Sequence, residues 1–129
     1  MTGILKEKTG NAKIGVVDNW HPHWAQVRSS FEKVGATRSL LQPDGWLSAR
    51  ENLLVAFVDS DIAGHVCFRV EPRPHEPGEL GCVSAEVDSF AVDPAYASLG
   101  IAASLKIAAE ARARELNCGE LRGFDHFEN

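Results

Sequence analysis

The chain reads as one α/β (α+β) domain, a mixed and mostly antiparallel sheet flanked by helices. Three observations predict this. Apolar strand-length runs stand at Ile14–Asp18, Asn52–Val58, Ile62–Val70 and Cys82–Val92. Apolar residues keep helical spacing over Pro22–Lys33 and Gly100–Leu116. Antiparallel strands followed by a strand–helix–strand crossover then require strands of both senses in one sheet, with helices on its faces.

The first strand, Ile14–Asp18, leads to Asn19, a candidate cap for a helix from Pro22 to about Lys33, with Gly35 just past its end. Trp24, Val27, Phe31 and Val34 form its apolar stripe. Arg38–Arg50 reads as a shorter helical region, interrupted at Pro43-Asp44-Gly45. The period then changes to that of strands. Asn52–Val58 and Ile62–Val70 flank Asp59-Ser60-Asp61, which predicts a β-hairpin. Glu71–Gly81 carries three prolines and reads as a loop. The next strand, Cys82–Val92, stops at Asp93-Pro94. In the second long helix Ile101, Leu105, Ala108, Ala109, Ala113 and Leu116 make one stripe, and Lys106, Glu110 and Arg114 recur on the other side. Asn117 suits its end. Cys118–Phe124 is a final strand, followed by the polar tail Asp125–Asn129.

At 129 residues there is room for one domain with a real core and not for two. A net charge of −5 speaks against a nucleic-acid partner, which would need a basic face. No run reaches the ~18 apolar residues of a membrane span, and Met1–Asn11 lacks the apolar core of a secretory signal. A cytoplasmic protein is expected. Cys67, Cys82 and Cys118 are odd in number, widely spaced and set in apolar runs, so free buried thiols are expected.

The informative stretch is Glu86–Gly119. It places a strand, a short loop and a helix in an order that aims free N–H groups past the strand's end. The amides of Ser98–Ala102 would be open to phosphate oxygens, and Gly100 lets a ligand approach the backbone. Gly100 alone is equally compatible with an ordinary strand–helix connection.

Residues 92–105, V-D-P-A-Y-A-S-L-G-I-A-A-S-L, resemble the acyl-CoA-binding motif of the GCN5-related N-acetyltransferases. Val92, Pro94, Tyr96, Gly100, Ala102 and Leu105 carry the match, and the upstream order of elements is similar too. The resemblance implies an acyl-CoA N-acyltransferase-like fold that moves an acetyl group from acetyl-CoA to a small-molecule or peptide amine. It implies that Phe90, Ala91 and Val92 pair with the pantetheine arm. Ala97, Ser98, Leu99, Gly100, Ile101 and Ala102 would hold the pyrophosphate. Two departures stand out. The motif's Arg/Gln position is Ala97 here, and the chain stops soon after the fifth strand, where the resemblance implies a helix and two more strands.

Glu86 lies 14 residues before Gly100, which matches the catalytic glutamate of histone-type members. A carboxylate there could take the proton an ammonium must lose before its nitrogen attacks a thioester. The alternative is a solvent-facing strand glutamate. In a regular strand Asp88 would share its face, making it a second candidate. Tyr96, Asp125 and His126 are weaker candidates for an acid. His21 and His23 lack supporting ligands, so no metal is expected. His65 reads as a hydrogen-bonded interior residue, and Trp20, Trp24 and Trp46 as core residues or acceptor contacts. Two rivals share the fold: a CoA-thioester or small-ligand binder without turnover, and an interaction module pairing through an open sheet edge. A homodimer is expected.

Overall fold

In the computed structural model, residues 12–34, 41–73 and 82–126 are described. Their sheet has five strands in sequence order: β1 Ala12–Val17, β2 Glu51–Val58, β3 Asp61–Arg73, β4 Cys82–Val92 and β5 Cys118–Arg122. The first four pair antiparallel and β4–β5 is parallel. The antiparallel part is built from neighbours in sequence. The one parallel pair needs the crossover through α2, Ile101–Glu115, as its sense demands.

The strands β2 and β3 are apolar at consecutive positions because both sheet faces are covered. On one face Leu54, Ala56, Val66, Phe68, Ala85 and Val87 meet Ile101, Leu105, Ala109 and Ala113 of α2. On the other, Leu53, Val55 and Cys67 meet Val27 and Phe31 of α1, Trp24–Val34. Phe31, Phe68, Leu53, Ile101 and Leu105 are among the largest fully buried side chains, each contributing about 1.5–3 kcal/mol by leaving water. Asn117, at φ +64, ends α2 in the left-handed cap that its position suggests.

Several expectations are corrected. Asn19 does not cap α1. Its Oδ1 accepts from Leu47 N at 2.8 Å and its Nδ2 donates to Leu47 O at 3.4 Å, clasping the two loops together. The described part of Arg38–Arg50, residues 41–50, is not helical. Leu41 and Leu47 form an isolated bridge around a turn, in which Asp44 Oδ1 accepts from Trp46 N and Gly45 sits at φ +85. Local side-chain bonds of this kind compete with helix. Residues 35–40, including Gly35, lie outside the described residues.

The strand β3 runs three residues beyond the expected end, because Glu71, Pro72 and Arg73 find partners in Ser84, Val83 and Cys82. Pro72 is tolerated there because β2 has already ended at Glu51, opposite Arg69, leaving an edge. The rest of the expected loop, 74–81, is outside the described residues. The last strand stops at Arg122. Gly123 turns at φ +103 and Phe124–His126 form a 3-10 turn. Lys106 is half-buried, its Nζ 5.3 Å from the centre of the Phe124 ring. Trp20, 80% exposed, is no core residue; its ring meets Trp46 edge-on at 5.3 Å. Cys67 and Cys118 are buried free thiols, as expected. No helix among the described residues is long and apolar enough to cross a membrane.

A close approach fixes the junction of β3, β4 and α2. A Cβ at Gly64 would stand 2.8 Å from Ala91 O and 3.2 Å from Leu105 Cδ1. Gly64→Ala should therefore cost about 1–3 kcal/mol by overpacking, read as a lower midpoint in urea unfolding with an unchanged slope.

Candidate active site

Strand β4 changes character halfway along. Its N-terminal part lies between two strands, since Val83, Ala85 and Glu86 pair with Cys118, Leu121 and Arg122 of β5. Beyond Glu86 the described residues of β5 pair with it no further, while β3 follows it to Val92. The divergence starts at Gly123, where a Cβ would sit 3.2 Å from Val87 N. Phe124 then turns inward and meets Phe90 edge-on at 5.1 Å. Phe90, Ala91 and Val92 thus lie on a strand paired along one edge only, which leaves backbone groups free to bind an extended partner.

The strand delivers the chain into a 3-10 turn, Pro94–Leu99, capped by Asp93, whose Oδ1 accepts from Ala95 N at 2.9 Å. Ala97, Ser98 and Leu99 lie in this turn. Gly100 follows in the left-handed conformation, φ +70 and ψ 25, and begins α2 without a side-chain cap. The first helical bond of α2 runs from Ser104 N to Gly100 O. The amides of Ile101, Ala102 and Ala103 precede it and point out of the helix end with its partial positive charge. A Cβ at Gly100 would meet nothing within 4 Å, so open space faces the backbone there. Both features fit an anionic, pyrophosphate-bearing group.

Tyr96 secures the turn. Its hydroxyl donates to Asp61 Oδ2 at 2.7 Å, tying the turn to the start of β3. That bond, then burial and the nearby Asp61, Asp93 and Asp59 charges, push the phenol up to about 12. Tyr96 is therefore an anchor that holds its proton.

Glu86 is exposed and lines a shallow cavity of about 180 Å³ with Arg69, Glu71, Ser84 and Arg122. Asp88 is not placed as in a regular strand. Cys67 faces Ser89 and Phe68 faces Val87, so Asp88 is the extra residue of a β-bulge. Arg69 stands opposite Glu86 in the register, and its guanidinium lies 3.1 Å from Glu71 and 3.6 Å from Asp88. The carboxylate next to Asp88 comes instead from β2. Burial first, then the hydrogen bond to Asp88 and its charge, raise the Glu51 carboxyl to about 8, while the Cys67 and Arg69 contacts oppose this. Two ionised carboxylates have no donor to share, and Asp88 Oδ2 is buried without a hydrogen-bond partner. A proton on Glu51 supplies the donor. Cys67 Sγ donates to Glu51 Oε1 at 3.2 Å, and its own thiol is pushed well up by burial and by that carboxyl.

Further along the same face His65 Nε2 lies 2.7 Å from Ser89 Oγ, with the Phe31 ring edge-on at 4.9 Å. Burial lowers His65 to about 4, so it stays neutral near pH 7. His21 stacks on Phe57, with 8° between the rings. Among the described residues no three His, Cys, Asp or Glu gather as a metal site.

The model of the acetyltransferase (GNAT) family matches residues 18–126. The chain belongs to the GNAT family. No curated protein matches the sequence significantly. Solved structures agree on the GNAT fold. A ribosomal-protein-alanine N-acetyltransferase from Brucella melitensis biovar Abortus 2308 is 24% identical, with 86% of this chain and 77% of that one covered and a TM-score of 0.61. The aminoglycoside acetyltransferase HMB0005, from an uncultured soil metagenomic sample, is 15% identical, covering 88% and 78% with a TM-score of 0.68. An acetyltransferase from Trypanosoma brucei is 16% identical, covering 87% and 81% with a TM-score of 0.62.

Within this GNAT domain the loop residues named from sequence follow one another along a single path from β4 into α2. Glu86 precedes the bulge, opposite Arg69, and Asp88 is its extra residue, also against Arg69. Glu51 was missed. It stands just before the apolar run that marks β2, and its only sequence signal is a carboxylate adjoining a strand buried on both faces. His126 is described in backbone only.

The Glu51 proton has a measurable consequence. Folded protein holds it more tightly than unfolded chain does, so stability is lost as pH rises from about 4.5 toward 8. Glu51→Gln keeps an N–H donor for Asp88 and removes the titration. Urea midpoints at pH 5.5 and pH 8 should show the variant gaining on the parent as pH rises.

Proposed function

We propose that this GNAT domain transfers an acetyl group from acetyl-CoA to a primary amine by direct attack. The observation that carries the reading is the continuous path from the half-paired β4 through left-handed Gly100 to the uncapped end of α2. Free backbone groups of Phe90, Ala91 and Val92 suit the amides of a pantetheine arm. The amides of Ile101 and Ala102, free at the uncapped start of α2, suit a pyrophosphate, whose charge the helix end favours, while Ala97, Ser98 and Leu99 lie within the 3-10 turn that leads to them. Ala97 offers no cation, so the backbone carries this contact alone.

When bound, acetyl-CoA supplies a thioester: the amine nitrogen forms the new C–N bond, the C–S bond breaks, and the thiolate leaves with the electron pair. The chain's part is positioning and proton transfer. Glu86, exposed beside the point where β4 and β5 part, takes the ammonium proton directly or through water. Asp88 is engaged by Arg69 and Glu51, which suits a supporting role at the bulge. A CoA binder without turnover is the second reading, favoured by Ala97.

One pair of substitutions separates binding from chemistry. Gly100→Val places a branched side chain at φ +70 in the open space before the amides. It should weaken acetyl-CoA binding in calorimetry at least about tenfold, ~1.4 kcal/mol, in a chain that still unfolds cooperatively. Glu86→Gln should leave that affinity intact and lower kcat about 10²-fold in a thiol-release assay over an amine panel. Unchanged affinity in the Gly100 variant rejects the loop as the site. Binding with no thiol release from any amine favours the second reading.

A further inference from the structure

A second cavity, of about 710 Å³, opens on the α1 face, between α1, the first half of β3 and the end of β4. It is separate from the shallow cavity at Glu86, and the two share no lining residue. It lies on the β3 side of β4, whereas the half-paired edge of β4 faces the other way. Its volume is in the range that holds a small organic ligand rather than a few waters.

The polar groups of its wall have capacity left over. Gln26 gives Nε2 to Ser60 O, which leaves Oε1. Ser30 gives its hydroxyl proton to Val27 O and keeps its lone pairs. Ser29 Oγ makes no hydrogen bond among the described residues. His65 is 4% exposed and lines the cavity. Its Nε2 is taken by Ser89, while Nδ1 meets no partner among the described residues.

Charge selects the ligand. Asp61 and Asp93 stand exposed at the mouth, and Tyr96 between them feels both. No Lys or Arg is among the described lining residues. Neutral His65 adds no positive charge to offset the two carboxylates. The wall therefore offers anionic oxygen at one end and neutral hydroxyl, amide and imidazole groups elsewhere.

We infer that this cavity binds a small amine-bearing polyol, with the ammonium at Asp61 and Asp93 and the hydroxyls at Ser29, Ser30, Gln26 and His65 Nδ1. The inference does not depend on acetyl transfer. The ligand requires no reaction and no metal, only a cation and several hydroxyls within a sugar-sized volume.

Calorimetry with glucamine and sorbitol tests this, because the two differ by an ammonium in place of a hydroxyl. Titrations are made on the full chain with no CoA compound present. Glucamine should bind at least about tenfold more tightly than sorbitol. Ser29→Phe, on the exposed flank of α1, should fill the cavity and weaken glucamine at least about tenfold while the urea midpoint holds. Asp93→Asn should narrow the preference for glucamine over sorbitol. Absence of glucamine binding overturns the inference. So does equal glucamine affinity in Ser29→Phe, which would place the amine elsewhere, including beside Glu86.

Discussion

The parting of β4 from β5 is the constraint on which the rest of this molecule depends. Up to Glu86 and Arg122 the two strands share a parallel ladder, and β4 is an interior strand. After that Gly123 turns away at φ +103 and β4 becomes an edge strand inside the fold. An edge strand ordinarily invites pairing with another chain. Here Phe124 folds back against Phe90, and Lys106 lies over Phe124, so side chains of this chain pack beside that edge. The residues that end the ladder thus leave one edge of β4 without a strand partner among the described residues, on the strand that leads to the start of α2.

The bulge at Asp88 lies just past the point where the ladder ends. One extra residue in β4 puts Asp88 within reach of Glu51 and Arg69 and places Ser89 opposite Cys67, with its hydroxyl against His65. Without it the alternation would run unbroken through the strand and Asp88 would simply follow Glu86. Burial then makes the Glu51–Asp88 pair stable only with a proton, which is why Glu51 rather than a surface carboxylate is the group displaced to about 8.

Much of this was legible because the signals were local. The periodicities of β2, β3, β4 and α2 gave elements within a few residues of those observed, and Gly100 sits in the left-handed conformation that a glycine takes without strain. What escaped was set by partners distant in sequence. Asn19 looks like a helix cap but spends its amide on Leu47, 28 residues away. Pro72 looks like a strand breaker but lies beyond the end of β2, where no neighbour needs its N–H. Glu51 gains its meaning only from Asp88 and Cys67, which the sheet register brings to it. The cavity beside α1 escaped for the same reason: Ser29, His65 and Asp93 carry no common sequence signal.

The two faces of the sheet divide the work. The face against α2 is a continuous apolar layer from Leu54 to Phe124. The buried polar residues Glu51, His65 and Ser89 all belong to the opposite face, with Cys67 among them. Burying a carboxyl or an imidazole costs stability unless each finds a partner, and here His65 has Ser89 while Asp88 Oδ2 has no hydrogen-bond donor unless Glu51 carries a proton. Such a face is tolerable because Val27, Phe31, Leu53 and Val55 pack beside these groups and the opposite face is apolar. Replacing its polar residues with aliphatic ones of matching size would relieve a desolvation cost and, by the same step, remove the groups that give the face any chemistry. The arrangement is that of a sheet packed on both faces, with its buried polar groups gathered on one of them.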